Sequence, residues 1–550
     1  MSELRLVPGA LVVWAVTLFL LFYGAEMVTV LVVLLGLVIV AVVLVWCRQS
    51  GQALFTTAVG ATAVALTVVR IQQAARWIPA KPLLGEVSAA PVEVSSGGYL
   101  VRLAVDGYPA VLPVFSELAP EHLAIGSQVL AQVNMSSSQR PGVGDQVATG
   151  ELQLVEGPTG MAAFAAQVRE SFSQSVVASV GTSSQGLIPG MVLGDTSGQS
   201  VAERELYIVT GLSHLSAVSG ANVAIVTTAA VLVCRLLTLG PRIQIGVATG
   251  ALVGFVGLVG TEPSVLRASV TGLVGLLAVL NSSRMEPIHG LSLAVIGLIF
   301  WDSDLAASYG FALSVAATAG IIALYPLLYR PLAATGLPAI LMRAVAVAVA
   351  ADIVTMPIIA LMAGEVSLVS VVANVLVAVV VPPVTVLGLL AAGLSMLPGG
   401  LEVILLWVIE PCTWWIHQVA SVGAGLGLAT VSASPAWVLV AYGWIIAAVV
   451  GGHAGKTLVV LAIWFVVAAR GEQTAPELDI GELSTHVVKT VEDLESVPPG
   501  THVIIVLDSS GQAAQRPTVT RQGIPVLFPH RDGEVTVHSD GTQHAGDGRF

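Results

Sequence analysis

Val28-Thr-Val-Leu-Val-Val-Leu-Leu-Gly-Leu-Val-Ile-Val-Ala-Val-Val-Leu-Val-Trp46 holds no charged residue and hardly a polar one. A helix needs roughly 20 mostly apolar residues to cross about 30 Å of hydrocarbon, and this stretch meets that need. The rest of the chain has the same character. Of 550 residues, 55% are hydrophobic and 10% charged, and the mean hydropathy is +0.89. Soluble domains carry about 25% charged residues, so the bilayer is the natural solvent for this sequence.

Working outward, apolar runs at 10–23 and 53–71 flank the first stretch. Arg5 precedes the first run as in a signal peptide, but no small-residue cleavage site follows. We read residues 1–78 as uncleaved N-terminal transmembrane helices. The texture changes over 79–157, where short alternating runs such as Tyr99-Leu-Val-Arg-Leu-Ala-Val105 are separated by Gly, Pro and Ser clusters. That pattern predicts a small β-barrel. Residues 158–185 form an amphipathic segment, with Phe164, Val168, Phe172 and Val176 four apart. It is expected either on the membrane surface or as a packed connector.

A second membrane block occupies 186–470, with candidate spans at 206–237, 243–260, 264–280, 287–301, 305–329, 338–362, 368–397, 401–422, 436–450 and 458–469. The total is about thirteen. Several are too long or too short, and Pro382-Pro383 interrupts one, so broken or re-entrant helices are expected. Residues 471–550 read as a small αβ or β segment, with strand signals at 502–507, 524–528 and 534–538 and turns at Asp532-Gly533 and Asp540-Gly541.

The net charge is −12, and two polar stretches account for nearly all of it. Residues 80–156 hold 3 basic and 8 acidic groups; 470–550 hold 6 and 12. No basic block offers an electrostatic grip on nucleic acid. Arg48, Arg235, Arg242, Arg284, Arg330, Arg343 and Lys456 fall on alternate connections, and Glu26, Glu262, Asp302, Asp304 and Glu365 on the others. The positive-inside rule then puts the N-terminus in the cytoplasm and both polar stretches outside, in a multi-pass protein of the cytoplasmic membrane. Cys47, Cys234 and Cys412 lie in or beside apolar segments, which leaves neither a disulfide framework nor a CxxC metal site.

Polar residues inside a span default to functional hypotheses. The densest group is Gly211-Leu-Ser-His-Leu-Ser-Ala-Val-Ser-Gly-Ala-Asn222. On one helix His214, Val218 and Asn222 would share a face, as a cavity wall or as interhelical hydrogen-bond glue. Asp195 is either a helix cap or a cavity carboxylate. Arg267 either pairs with Glu262 or presents a cation to a phosphate. Asp352 lies before Met356-Pro357, and Asn374 before Pro382-Pro383. Hydrolase patterns do not fit. Leu193-Gly-Asp195 lacks the first glycine of Gly-x-Gly-Asp, Ala217-Val-Ser219 is not Gly-x-Ser, and the histidines after residue 480 form no dinuclear metal motif. No phosphate-binding Gly-x4-Gly-Lys-(Ser/Thr) occurs either. No catalytic residue, metal or cofactor is expected.

Gly194-Asp195 followed by Thr210-Gly-Leu-Ser-His-Leu-Ser-Ala-Val-Ser-Gly-Ala-Asn-Val223 resembles a signature of the ComEC family of competence proteins. Pro263-Ser-Val-Leu-Arg-Ala268, Ser308-Tyr-Gly-Phe-Ala-Leu-Ser314 and Met356-Pro through Val372-Ala-Asn374 agree in order. The resemblance implies a channel, not an enzyme, that carries single-stranded DNA across the cytoplasmic membrane during natural transformation. It implies an OB-like barrel outside and Asp195, His214, Ser219, Asn222, Arg267, Asp352 and Asn374 lining or bracing the conduit. The implied partners are single-stranded DNA, membrane lipid, a cytoplasmic motor ATPase, an external DNA receptor and further copies of the chain. Many relatives end in a metallo-β-lactamase-like domain. Residues 471–550 are too short for one and lack its histidines, so no nuclease activity is expected. The barrel is acidic and holds few aromatics (Tyr99, Tyr108, Phe115), whereas strand binding favours a basic groove with stacking platforms. Two readings from other classes stand beside the channel: a transporter of a small solute or envelope precursor on the same fold, and an intramembrane hydrolase centred on His214 and Ser219.

Overall fold

The structure is a computed structural model that describes residues 4–94, 98–117, 123–138, 140–216, 218–260, 263–280, 286–426, 429–469, 485–489, 501–508, 518–520, 524–533, 535–537 and 543–545. Glu262, Arg284, Ala217 and the Asp540-Gly541 turn lie outside the described residues.

Three helices come first: α1 (Val7–Tyr23), α2 (Met27–Trp46) and α3 (Ser50–Arg76). They meet at small residues. A Cβ on Gly60 would lie 2.7 Å from Leu37 and 3.0 Å from Val12, and Gly9 sits under the Phe55 ring. Such close approach is how membrane helices gain dispersion contact. In α2 only Val33 and Leu37 are buried. An apolar helix with so little protein cover faces lipid.

The chain then closes a five-stranded barrel: β1 (Leu83–Glu93), β2 (Tyr99–Ala104), β3 (Val111–Ser116), β4 (Gln128–Ser137) and β5 (Gln146–Glu156). The order is β1-β2-β3-β5-β4, with β3 and β5 parallel and the other pairs antiparallel. Alternation points Leu83, Val87, Val101, Leu103, Leu112, Val114, Val129, Ala131 and Ala148 inward, all fully buried or nearly so. Gly150 allows β5 to cross β4, because any Cβ there would overlap the Gln132 carbonyl.

The second block runs α4 (Gly160–Ser179), α5 (Thr182–Gln185), α6 (Leu187–Leu193), α7 (Val201–Val209), a 3-10 turn (Ser213–Leu215), α8 (Gly220–Leu236), α9 (Pro241–Val259), α10 (Pro263–Leu280) and α11 (Pro287–Trp301). A second 3-10 turn (Ser303–Ala307) leads to α12 (Tyr309–Ala333), α13 (Ala339–Ala363), β6 (Glu365–Ser367), α14 (Ser370–Val377), α15 (Val381–Leu394), α16 (Leu401–Ala424) and β7 (Thr430–Ser432). Then come α17 (Pro435–Ala448), a π turn (Val449–His453) and α18 (Ala454–Ala469). The stripe of α4 is covered by protein: Val168, Phe172 and Val176 join residues of α6, α15 and α16 in one core.

Among the described residues seven helices are long and apolar enough to cross a membrane, or eight if the bent pair α14 and α15 is one span. That is fewer than the thirteen expected. Three further apolar helices, α1, α8 and α11, are shorter. The break at the Pro382-Pro383 pair is real: α14 and α15 meet at 55°, with the prolines in the first turn of α15. The run expected as one span over 206–237 is instead α7, a 3-10 turn and α8. Ser200 and Glu203 form a capping box that starts α7 early, and Gly211 at φ 69° ends it.

Polar contacts converge on the α11–α12 connection from both the barrel and α3. The Val143 N–H donates to Asp304 Oδ1 at 2.6 Å. Arg70 of α3 donates to the Phe300 and Trp301 carbonyls, both at 2.7 Å, and to Ser303 Oγ at 2.7 Å. A guanidinium on the last carbonyls of α11 meets the negative end of that helix. The α11–α12 connection therefore lies on the barrel's side, the side the charge alternation gave to Asp302 and Asp304.

Burial pushes the Asp304 carboxyl up to about 6, and burial raises Asp302 as well. The folded arrangement thus favours protonated Asp304 over the ordinary value of 3.8. Its contribution is full below pH ~4 and is lost as pH rises through ~6, a change of about 3 kcal/mol. The wild-type unfolding midpoint in nanodiscs should therefore fall more between acid and neutral pH than that of Asp304→Asn. Parallel pH curves for the two proteins would sink this reading.

The C-terminal unit, described by itself, has a parallel sheet of β8 (Thr485–Val488), β9 (Val503–Val506) and β10 (Val526–Leu527), in the order β10-β9-β8. A short turn of helix, α19 (Pro529–Asp532), precedes the hairpin β11 (Val535–Val537) and β12 (Gln543–Ala545). Arg531 pairs with Asp532 at 2.8 Å and lies over the Phe528 ring.

Candidate functional site

The short helix α6 is about 10 Å long at 1.5 Å per residue, and all seven of its residues are buried. It ends because Gly194 takes φ 75°, with its N–H donating to the Gly190 carbonyl at 3.0 Å. Asp195 then accepts from Ser197, from the N–H at 3.0 Å and from the hydroxyl at 2.6 Å. Asp195 shapes its own turn, and among the described residues no hydrogen bond joins it to the other predicted residues.

The last carbonyls of α6 need donors, and one comes from α8. Asn222, buried, donates from Nδ2 to the Met191 carbonyl at 2.8 Å. Its Oδ1 accepts from Ser219 at 3.4 Å. So the Ser219 hydroxyl is turned to Asn222. A hydrolase reading requires it to meet a base, and no bond to His214 is formed.

Arg267 completes this first junction. It lies one turn inside α10 and is 6% exposed. Nε donates to Ser314 Oγ of α12 at 2.8 Å. Nη2 lies 2.6 Å from where a Gly220 Cβ would sit, so it is held against the N-terminus of α8. Beside it Ser264 donates to the Val218 carbonyl at 3.0 Å. No acidic group among the described residues pairs with Arg267. Glu262, the partner its spacing offered, lies outside the described residues.

A second junction forms where the α7 end meets α13 and α14. Asn374 donates from Nδ2 to the Ser370 carbonyl at 3.0 Å and to the Gly211 carbonyl at 3.5 Å. Ser370 Oγ donates to Asp352 Oδ1 at 3.4 Å. Tyr442 of α17 faces the same carboxyl. Gly211 is required here twice over: its φ is 69°, and a Cβ would lie 2.5 Å from Ser370 Oγ.

Between the two junctions the described residues from Gly211 to Ser219 form no α-helix, only the 3-10 turn Ser213–Leu215. His214 rides on it. The His214 side chain is exposed. The expected single helical face of His214, Val218 and Asn222 does not form, because the turn divides them: Val218 and Asn222 are buried and His214 is not.

Thus Ser219, Asn222 and Arg267 come together, Asp352 and Asn374 come together, His214 lies between, and Asp195 stands apart. Sequence reasoning missed Ser264, Ser314, Ser370 and Tyr442. The Ser370-x-x-x-Asn374 spacing was a readable signal for one of them; Tyr442 and Ser314 had none, since their roles arise only from helix packing.

The family model of the competence protein matches residues 191–454. Residues 191–454 form a competence-protein domain of the ComEC type. The match begins inside α6 and ends at the start of α18, so the competence region contains both junctions. It is a membrane region of a family tied to DNA uptake in competence. No curated protein and no solved structure matches the chain.

Proposed function

We propose that the competence region conducts single-stranded DNA across the cytoplasmic membrane during natural transformation. The observation that carries this reading is Arg267. Its guanidinium has no acidic partner among the described residues and is held at the positive end of α8. A charge buried without a partner costs several kcal/mol. A passing phosphate would supply the missing negative charge, through charge-assisted hydrogen bonds and the helix dipole.

In this reading His214 and Ser213 border the path, while Ser219, Asn222 and Asn374 brace the bends that open it. Asp195 holds the turn after α6. The five-stranded barrel, taken as OB-like, lies outside and docks the external DNA receptor; the N-terminus is cytoplasmic and the C-terminal segment outside. A motor ATPase drives the strand, since the chain has no nucleotide motif of its own.

Two measurements test this. Deletion is expected to abolish transformation by marked DNA, with recovery on complementation; normal uptake in the deletion strain would refute the reading. In a background with Cys47 and Cys412 changed to Ser, Ser213→Cys should react with a membrane-impermeant thiol reagent. Ser213 and His214 are exposed, whereas Val218 is buried. Val218→Cys should stay unlabelled. Equal silence at both positions would argue against a water-accessible path along this turn.

A further inference from the structure

We propose that Asp352 is a proton-binding site that couples the packing of α13, α14 and α17 to pH. The carboxyl is 7% exposed in the middle of the 25-residue helix α13. Oδ1 accepts from Ser370 at 3.4 Å. Oδ2 is buried and makes no hydrogen bond of ordinary geometry among the described residues, with the Tyr442 hydroxyl the one further donor facing the carboxyl. An ionised carboxylate needs two or three donors or a cation to rest in hydrocarbon.

No cation is near. On α12 the segment facing Asp352 is marked by Gly320, which packs against Ala350 and Val354, and residues 317–323 carry no charge. On α14 there is no titratable group. Tyr442 of α17 is a neutral donor that faces the carboxyl. On β6, Glu365 is exposed and lies beyond the end of α13. On α13 itself Arg343 is more than two turns away. With hydroxyl donors alone, the neutral acid is the form this site holds.

Ionisation requires the site to open. The O–H bond of the acid breaks, and its proton passes to water that reaches it when α14 or α17 moves away. The same Ser370 that contacts Asp352 contacts Asn374, and Asn374 reaches the Gly211 turn. Proton loss at Asp352 therefore acts on the loop that carries His214. The proton site stands on its own geometry; its consequence for DNA passage rests on the channel reading.

The first test needs no DNA. Infrared spectra of the full-length protein in nanodiscs near neutral pH should show a protonated-carboxyl band that is missing in Asp352→Asn. Spectra without that difference would overturn the proposal, as would loss of the band on replacing potassium by sodium, which marks a metal-cation site. The second test reads the coupling. Labelling of Ser213→Cys should rise about threefold from roughly pH 6 to pH 8 relative to the same cysteine with Asp352→Asn, a modest population shift. Identical pH profiles would show that the site does not act on the loop. A present band with failed transformation assays would leave the proton site standing and reject only the DNA reading.

Discussion

Arg267→Gln is expected to lower transformation by about 100-fold or more while leaving the protein in the membrane at normal level. Glutamine keeps a donor for Ser314 and removes the charge that Nη2 holds against α8. Charge-assisted hydrogen bonds contribute about 1.5–3 kcal/mol each, and about 1.4 kcal/mol is a factor of ten in rate, so losing two phosphate contacts gives that fall. Stability should move the other way. A buried guanidinium with no acidic partner is a cost to the fold, so the unfolding midpoint of Arg267→Gln should equal or exceed that of the wild type. A more stable, inactive protein is the signature of a residue kept for function. Arg267→Lys, which keeps the charge and loses the planar fork, should fall between. Wild-type uptake in Arg267→Gln would remove the phosphate role. A large drop in stability would make Arg267 a packing residue.

Gly211→Ala is expected to destabilise the competence region by about 2–5 kcal/mol. The left-handed backbone costs an L-residue about 1–2 kcal/mol. The new Cβ would lie 2.5 Å from Ser370 Oγ and 2.6 Å from Ser370 Cβ, and 3.3 Å from its Cα. Side-chain rotation does not relieve a contact with the backbone of α14, so overpacking adds about 1–3 kcal/mol. Gly336→Ala separates the two effects. Gly336 has φ 80° and nothing within 4 Å of an added Cβ, so it should carry the backbone cost alone. The unfolding midpoint should drop further for Gly211→Ala than for Gly336→Ala. Equal drops would mean that the Ser370 contact relaxes freely. The same variant should separate Asn374 from the Gly211 carbonyl and impair uptake.

Much of the architecture was legible because its causes are local. The uncharged run of α2 could only be a lipid-facing helix, and the alternation in β1 to β5 could only suit a two-faced sheet. The proline pair after Val381 announced the bend before α15. The turn inside the Gly211–Asn222 segment was not legible in the same way. Its apolar residues continue at helical spacing, and only the φ of Gly211 and its contact with Ser370 show why the helix stops. The reading of His214 with Asn222 failed there, because periodicity assumes an unbroken helix.

The site divides along the same line. Residue types singled out Asp195, His214, Asn222, Arg267, Asp352 and Asn374, since polar groups are rare in apolar sequence and costly in a bilayer; the family resemblance added Ser219 and the conduit role for all seven. Composition and hydropathy by themselves determined that the chain is a membrane protein with an inserted barrel, because burial of apolar surface depends on content and period. Which polar residues meet was decided only by the tertiary structure. Arg267 reaches Ser314 and Gly220, and Asp352 reaches Ser370, across helix pairs whose registry depends on where small residues such as Gly220 and Gly320 let backbones approach. A hydrogen bond between helices depends on their crossing point and rotation, and no spacing along one chain segment carries that information.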